Sequence, residues 1–157
     1  RTQCPDVPAN VMLDAMFGGT STSKLFLNVR ERLSLCYYAG SSYHRLKGLV
    51  TVSSGIECEN YERAVSEISA QLEALKAGAW EDWELQGARS SLLNSLRSIE
   101  DSAGAMEDFI LGQTISGLKE TVPDLIEAIG SVTGARIQAA AQALTLDTIY
   151  FLKGKET

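Results

Sequence analysis

Histidine is nearly absent from this chain, since His44 is the only one among its 157 residues. Zinc sites of the H-E-x-x-H or H-x-x-E-H type need two histidines and are therefore excluded within the chain. Catalysis by a Ser-His-Asp or Cys-His arrangement would depend on His44 alone, which lies beside a predicted turn with no partner indicated by the sequence. We expect no metal and no catalytic residue in this chain, and we interpret His44 as a surface or turn residue.

Cysteine, long apolar runs and targeting signals are also scarce. The three cysteines (Cys4, Cys36 and Cys58) are widely spaced and form no C-x-x-C pair, which is typical of reduced thiols. No apolar run approaches the roughly 20 residues needed to cross a bilayer, and no signal-peptide pattern opens the chain. These features predict a cytoplasmic protein without a membrane span. Because the chain begins at Arg1 instead of Met, we expect it to be a fragment of a larger protein.

Basic residues are outnumbered, with 14 Lys and Arg against 20 Asp and Glu, for a formal net charge of −6. Nucleic-acid binding needs clustered Lys and Arg, and the sequence has no such cluster, so it predicts no nucleic-acid partner. The composition, 45% hydrophobic and 22% charged, is that of a soluble globular protein. We predict a single domain over residues 1–157.

The hydrophobic periodicity predicts an α+β fold. Helical spacing dominates before residue 32 and again from residue 60 to residue 144, with Gly or hydroxyl residues at the expected ends. A period of two predicts strands at 35–44 and 48–56, joined as an antiparallel hairpin with Gly48 in the turn. The segment 145–152 has β-branched and aromatic residues on both faces and is predicted to be a closing strand. We expect a small, mostly antiparallel sheet with helices packed on one face.

Two further patterns are weak. The segment "FGGTSTSKLF" resembles a phosphate-binding loop only loosely, because it follows a helix and lacks the second glycine of that motif. It is better interpreted as a helix break with a new N-cap. Several glutamates (Glu57, Glu59, Glu62 and Glu67) flank one predicted helix start, where acidic side chains suit the helix dipole or stay solvated.

The segment "NVRERLSLCYY" joins a charged helix to an aromatic strand without Gly or Pro between them. Its Arg30 and Tyr37 are seven residues apart, with Arg30 predicted on the last helical turn and Tyr37 on the strand. Both side chains could point at a common cleft, where an Arg and a Tyr hydroxyl would donate to a carbonyl or carboxylate. From the residues alone, Arg30 is better interpreted as a helix-end cation and Tyr37 as a packed strand residue.

"MFGGTSTSKLFLNVRERLSLCYY" resembles a stretch of the pitrilysin/insulinase zinc metallopeptidases, the inverzincins. "GIECENYERAVSEISAQLEALKAG" is similar to the family's strand and long helix, and "SVTGARIQAAAQALTLDTIYFLKG" to its final helix and closing strand. The resemblance covers about residues 8–154. It is strongest to short bacterial members, which include inactive or partner subunits.

The resemblance implies a zinc-less C-terminal domain, a half-barrel or roll that lacks its first strand. In such a domain an Arg and a Tyr seven apart bind peptide substrate near the scissile bond, and they match Arg30 and Tyr37. The implied zinc lies in another domain, an N-terminal zinc-binding domain or a homologous partner subunit. This chain departs from the family pattern Gly-Leu-x-Tyr by having Ser34 in the glycine position, which weakens the match to the catalytic pattern but keeps the spacing of Arg30 and Tyr37.

Three hypotheses follow. The chain is the substrate-binding, chamber-closing domain of a zinc peptidase, or it is a scaffold or partner domain of a proteolytically inactive member. Outside the family, it would be an α+β interaction module. The first two both predict that this chain neither binds zinc nor cleaves peptides by itself.

Overall fold

The computed structural model describes residues 6–154, and its N-terminal part is helical. Helix α1 spans Val7–Asp14 and continues as a π-helical segment, Ala15–Gly19. A second helix of π geometry, here called the π-helix, spans Leu25–Arg32. The side chain of Asp6 accepts a hydrogen bond from the Ala9 amide at 3.1 Å and so caps the first turn of α1.

A single antiparallel hairpin follows the π-helix. Strand β1 spans Cys36–His44 and strand β2 spans Leu49–Ile56, in agreement with the predicted strands at 35–44 and 48–56. Gly48 lies in the connecting turn with a φ of 64°, a conformation that favours glycine. The first two predicted strands are thus confirmed.

The rest of the chain is a series of helices with short connections. Their bounds are Tyr61–Lys76 (α2), Asp82–Ile99 (α3), Ala103–Ser116 (α4), Val122–Gly130 (α5) and Gly134–Gln142 (α6). Thr121 caps α5 in a reciprocal capping box with Asp124, as a Thr followed three residues later by an acidic residue favours. Thr133 caps α6 by accepting from the Arg136 amide.

The hydrophobic core lies between the N-terminal helices, α2, α6 and the inner face of β1. Its fully buried side chains include Met12, Leu13, Leu25, Val29, Leu75 and Ile137. On β1, Ala39 and Ser41 point toward this core, while the next residues along the strand face outward. The fold is therefore α+β with helices packed on one face of a small antiparallel sheet, as the sequence predicts.

The predicted third strand at 145–152 is wrong. Residues 145–154 have no regular secondary structure, and the sheet of the described residues contains only β1 and β2. Several apolar side chains of this segment are exposed, among them Leu146, Tyr150 and Leu152. The apolar pattern indicates that these residues favour burial. A strand forms only where a neighbouring strand has free backbone hydrogen-bonding groups to pair with it. Phe151 instead contacts Tyr61 at the start of α2, with ring centroids 4.4 Å apart.

No helix within residues 6–154 is both long and apolar enough to cross a membrane.

Candidate functional site

The junction between the π-helix and β1 is a tight turn built around Ser34. The Ser34 amide donates to the Arg30 carbonyl at 3.1 Å, and the Leu35 amide donates to the Val29 carbonyl at 3.1 Å. Ser34 has a φ of 49°, the left-handed conformation that L residues other than glycine rarely adopt. This turn ends the helix and starts the strand within three residues, which answers how a charged helix passes directly into an aromatic strand.

A β-bulge lies at the start of β1 and determines the exposure of Tyr37. Cys36 is opposite Ile56, and Tyr38 is opposite Gly55, so two steps along β1 match one step along β2. Tyr37 is the extra residue and has no partner on β2. Because a bulge redirects side chains, Tyr37 projects outward and is 84% exposed. Tyr37 therefore does not pack as an ordinary strand residue.

Tyr37 lines a shallow, open cleft of about 190 Å³ at the end of the hairpin. The other lining residues are Ser34, Leu35, Cys36, Gly55, Glu57 and Asn60. They come from the turn, both strands and the segment just before α2. The cleft thus depends on the bulge and on the left-handed turn that precedes it.

Arg30 lies on the last turn of the π-helix, where its side chain is 41% exposed. Its Cζ atom is 4.7 Å from the centre of the Phe26 ring, and its Nε is 3.6 Å from a Glu31 carboxylate oxygen. The ion pair is exposed and long, so it holds the guanidinium only weakly. Arg30 is not among the residues that line the Tyr37 cleft.

Lys24 in the "GGTSTSK" segment has a structural partner. Its Nζ lies 2.9 Å from a carboxylate oxygen of Glu84 on α3, and only 8% and 12% of the two side chains are exposed. Ser23 accepts from the Phe26 amide at 3.4 Å, as an N-cap residue does. The segment is a helix break that the Lys24–Glu84 ion pair connects to α3, so this lysine already has a carboxylate partner.

The histidine and the cysteines form no catalytic or metal-binding cluster within residues 6–154. His44 is exposed at the end of β1, and its Nε2 lies 2.9 Å from the Thr51 hydroxyl on β2. Within residues 6–154, no group of three or more His, Cys, Asp or Glu side chains could hold a metal ion. Cys36 and Cys58 are both free thiols, whereas Cys4 lies outside the described residues.

The sequence of residues 2–92 matches the protein family described as "Peptidase M16 inactive domain". The chain belongs to the M16 peptidase family and to its inactive domain. The resemblance to pitrilysin/insulinase metallopeptidases is thereby confirmed.

Curated M16 relatives carry different activity labels. Over 96% of its length this M16 chain is 39% identical to "Probable inactive metalloprotease YmfF" of Bacillus subtilis, of which it covers 35%. It is also 25% identical to "Uncharacterized zinc protease YmxG" of the same organism, covering 85% of this chain and 34% of that protein. This M16 chain therefore spans about a third of the length of the curated relatives that it matches.

The M16 fold is also found in a solved structure, that of a conserved protein from Enterococcus faecalis. The similarity covers 87% of this chain and 32% of the other, with a TM-score of 0.79 and 33% identity. The helix arrangement and hairpin described above thus have a counterpart in a longer protein.

The sequence does not predict some of the residues that line the cleft beside Tyr37. Gly55 and Asn60 line the cleft beside Tyr37, and Glu57 was interpreted only as a helix-start acid. The sequence holds one usable signal, because the period of two fails at Cys36-Tyr37-Tyr38 and such a failure is typical of a bulge. The remaining neighbours are brought together only by the hairpin register.

Proposed function

We propose that this M16 inactive domain closes the peptide chamber of a larger metallopeptidase-like protein and binds peptide through Arg30 and Tyr37. The observation that carries the proposal is the β-bulge, which exposes the Tyr37 hydroxyl at the edge of a cleft instead of packing it into the sheet. At this position the ring and the hydroxyl of Tyr37 are accessible to a bound peptide, to which the hydroxyl can donate a hydrogen bond and against which the ring can pack.

Arg30 supports the same function. Its Cζ atom lies 4.7 Å from the centre of the Phe26 ring and its side chain is 41% exposed, so the planar guanidinium is accessible to a carbonyl or carboxylate of a peptide. Arg30 and Tyr37 are connected by the short hydrogen-bonded turn at Ser34, which restricts their relative motion. Together they supply donors that can orient a peptide and stabilise negative charge on a reacting carbonyl oxygen.

In the proposed protein, groups of another domain carry out the hydrolytic step. Residues 6–154 offer no cluster of metal-ligating side chains, and neither Arg30 nor Tyr37 can activate water. In the proposed protein, another domain holds zinc, which when bound supplies an activated water. The role of this chain is then to bind, orient and enclose the peptide.

A second candidate function is a scaffold or partner domain in a proteolytically inactive protein. The 39% identity to a relative named as inactive favours it. Zinc content and peptide hydrolysis by the complete protein distinguish the two: stoichiometric zinc with hydrolysis supports the peptidase, and peptide binding without either supports the inactive alternative.

The Arg30 and Tyr37 contribution is tested by the affinity of the complete protein for a fluorescein-labelled unstructured peptide. We expect Tyr37→Phe to weaken binding about three- to tenfold, and Arg30→Ala to weaken it more, as for loss of one neutral or one charged hydrogen bond. Two neighbours serve as matched controls, Tyr38→Phe and Arg32→Ala. Equal affinities for all five proteins would contradict the proposed binding role.

A further inference from the structure

The cleft beside Tyr37 has a single charged lining residue. Its lining includes Cys36 and Leu35, of which Leu35 is only 3% exposed, together with neutral polar residues, and Glu57 is the only acidic residue among the described residues that line it. A lone carboxylate next to apolar walls matches a side chain that has an apolar stem and a cationic end. Lysine and arginine are the two protein side chains with that construction.

Glu57 is available to a ligand. It precedes the 3₁₀ turn Cys58–Asn60 with extended backbone dihedrals, and its side chain makes no capping hydrogen bond. It is exposed, and the ion pairs formed within residues 6–154 join other residues. The carboxylate is therefore not committed to a role in stabilising the fold.

The size and the surroundings of the cleft fit one side chain. A volume of about 190 Å³ is below that of sites that hold drug-sized ligands. Asn60 adds an amide oxygen that can accept a second hydrogen bond from an ammonium or guanidinium group.

We propose that this cleft binds a lysine or arginine side chain of the bound peptide and that Glu57 determines this preference. The proposal rests on the proposed function, in that the same peptide contacts Tyr37. It adds a substrate class, namely peptides with a cationic residue at the position that enters the cleft.

The test measures the affinity of the complete protein for a set of labelled peptides of Ser, Ala and Gly with one variable residue moved along the sequence. At each position the variable residue is lysine, glutamate or norleucine, and norleucine keeps the stem of lysine but lacks its charge. We expect lysine to bind about two- to fivefold more tightly than norleucine at one position, as for an exposed ion pair. Glu57→Gln should abolish this ratio, and Glu57→Lys should make glutamate the preferred residue.

Glu59→Gln is the matched control, since Glu59 is also exposed, lies two residues away and does not line the cleft. It should leave the lysine preference intact. Absence of a lysine preference, or the same preference in Glu57→Gln, would overturn this inference while leaving the Tyr37 role open. A lysine preference that depends on Glu57, together with an unchanged overall peptide affinity in Tyr37→Phe, would instead contradict the Tyr37 role alone.

Discussion

The ring of Tyr38 covers Gly55 on the neighbouring strand so closely that a Cβ atom at position 55 would lie 2.7 Å from Cε1 of the ring. Tyr38 follows the bulged Tyr37, and its carbonyl accepts a hydrogen bond from the Ser54 hydroxyl at 2.9 Å. The missing side chain at Gly55 thus lets Tyr38 lie flat on the sheet while Tyr37 projects away from it. The contact stabilises the bulge on which the cleft depends.

Gly55→Ala should displace the Tyr38 ring and lower the free energy of unfolding by about 1 kcal/mol or more, as overpacking does. In a Tyr38→Ala background, Gly55→Ala should leave the free energy of unfolding unchanged, because the ring that would clash is absent. Urea denaturation of the four proteins of this cycle measures the coupling. A loss of equal size in both backgrounds would show that the Tyr38 contact is not its cause.

Gly18 allows the end of the first helical region to lie directly against β1. A Cβ atom there would be 2.8 Å from the Gly40 carbonyl carbon and closer still to the Ser41 amide nitrogen, and neither backbone atom can move freely. Gly18→Ala should therefore destabilise the protein by about 3 kcal/mol or more.

Gly112 within α4 is the matched control for Gly18. A Cβ atom at Gly112 would have no heavy atom within 4 Å, so Gly112→Ala should stabilise by about 0.5–1 kcal/mol through helix propensity. Denaturation midpoints of the two variants should shift in opposite directions. Shifts in the same direction would contradict the close contact at Gly18.

Ser34 holds the left-handed turn between the π-helix and β1. Because a side chain in this conformation costs about 1–2 kcal/mol, Ser34→Gly should raise the stability by about 1 kcal/mol. Ser34→Ala keeps the Cβ atom and should bring no such gain. Thermal unfolding compares the three proteins, and a destabilising effect of glycine would mean that the serine hydroxyl outweighs the backbone strain.

Asp14 is partly buried where α1 meets β1, and burial raises its pKa above the usual 3.8 despite hydrogen bonds from the Ser41 hydroxyl and the Tyr43 amide. The Ser41 hydroxyl lies 2.6 Å from the carboxylate. Because the folded pKa is the higher one, the folded protein binds the proton more tightly, and stability falls as pH rises from about 4 through the folded pKa.

Asp14→Asn should lose that component of the pH dependence. The free energy of unfolding of the variant minus that of the wild type should rise with pH across this window and become constant above it. Titratable groups elsewhere cancel in the difference. A difference that falls with rising pH would contradict the raised pKa of Asp14.

The sequence predicts the hairpin well because period-two alternation and the turn glycine Gly48 are local signals. It fails at 145–152, where apolar residues on both faces indicate a strand but cannot show whether a partner edge exists. The π geometry of Leu25–Arg32 also escapes prediction, since apolar spacing does not distinguish it from an α-helix. The ion pair of Lys24 with Glu84 joins residues distant in sequence and depends on the assembled fold.

The candidate site also has parts that the sequence predicts and parts that it does not. Arg30 and Tyr37 are identified through the family resemblance, and their peptide-binding role stays a prediction. The outward projection of Tyr37 follows from the bulge, which depends on how β1 and β2 pair. Glu57 lines the cleft because of the way β1 and β2 pair, and no local sequence pattern specifies that register.

The central claim is tested most directly by the affinity of the complete protein for an unstructured peptide, with and without the Tyr37 hydroxyl. Peptide binding by the wild type that Tyr37→Phe weakens about three- to tenfold, with Tyr38→Phe unchanged, is the result that we predict. Unchanged affinity in Tyr37→Phe would contradict the proposal that the exposed Tyr37 holds the peptide.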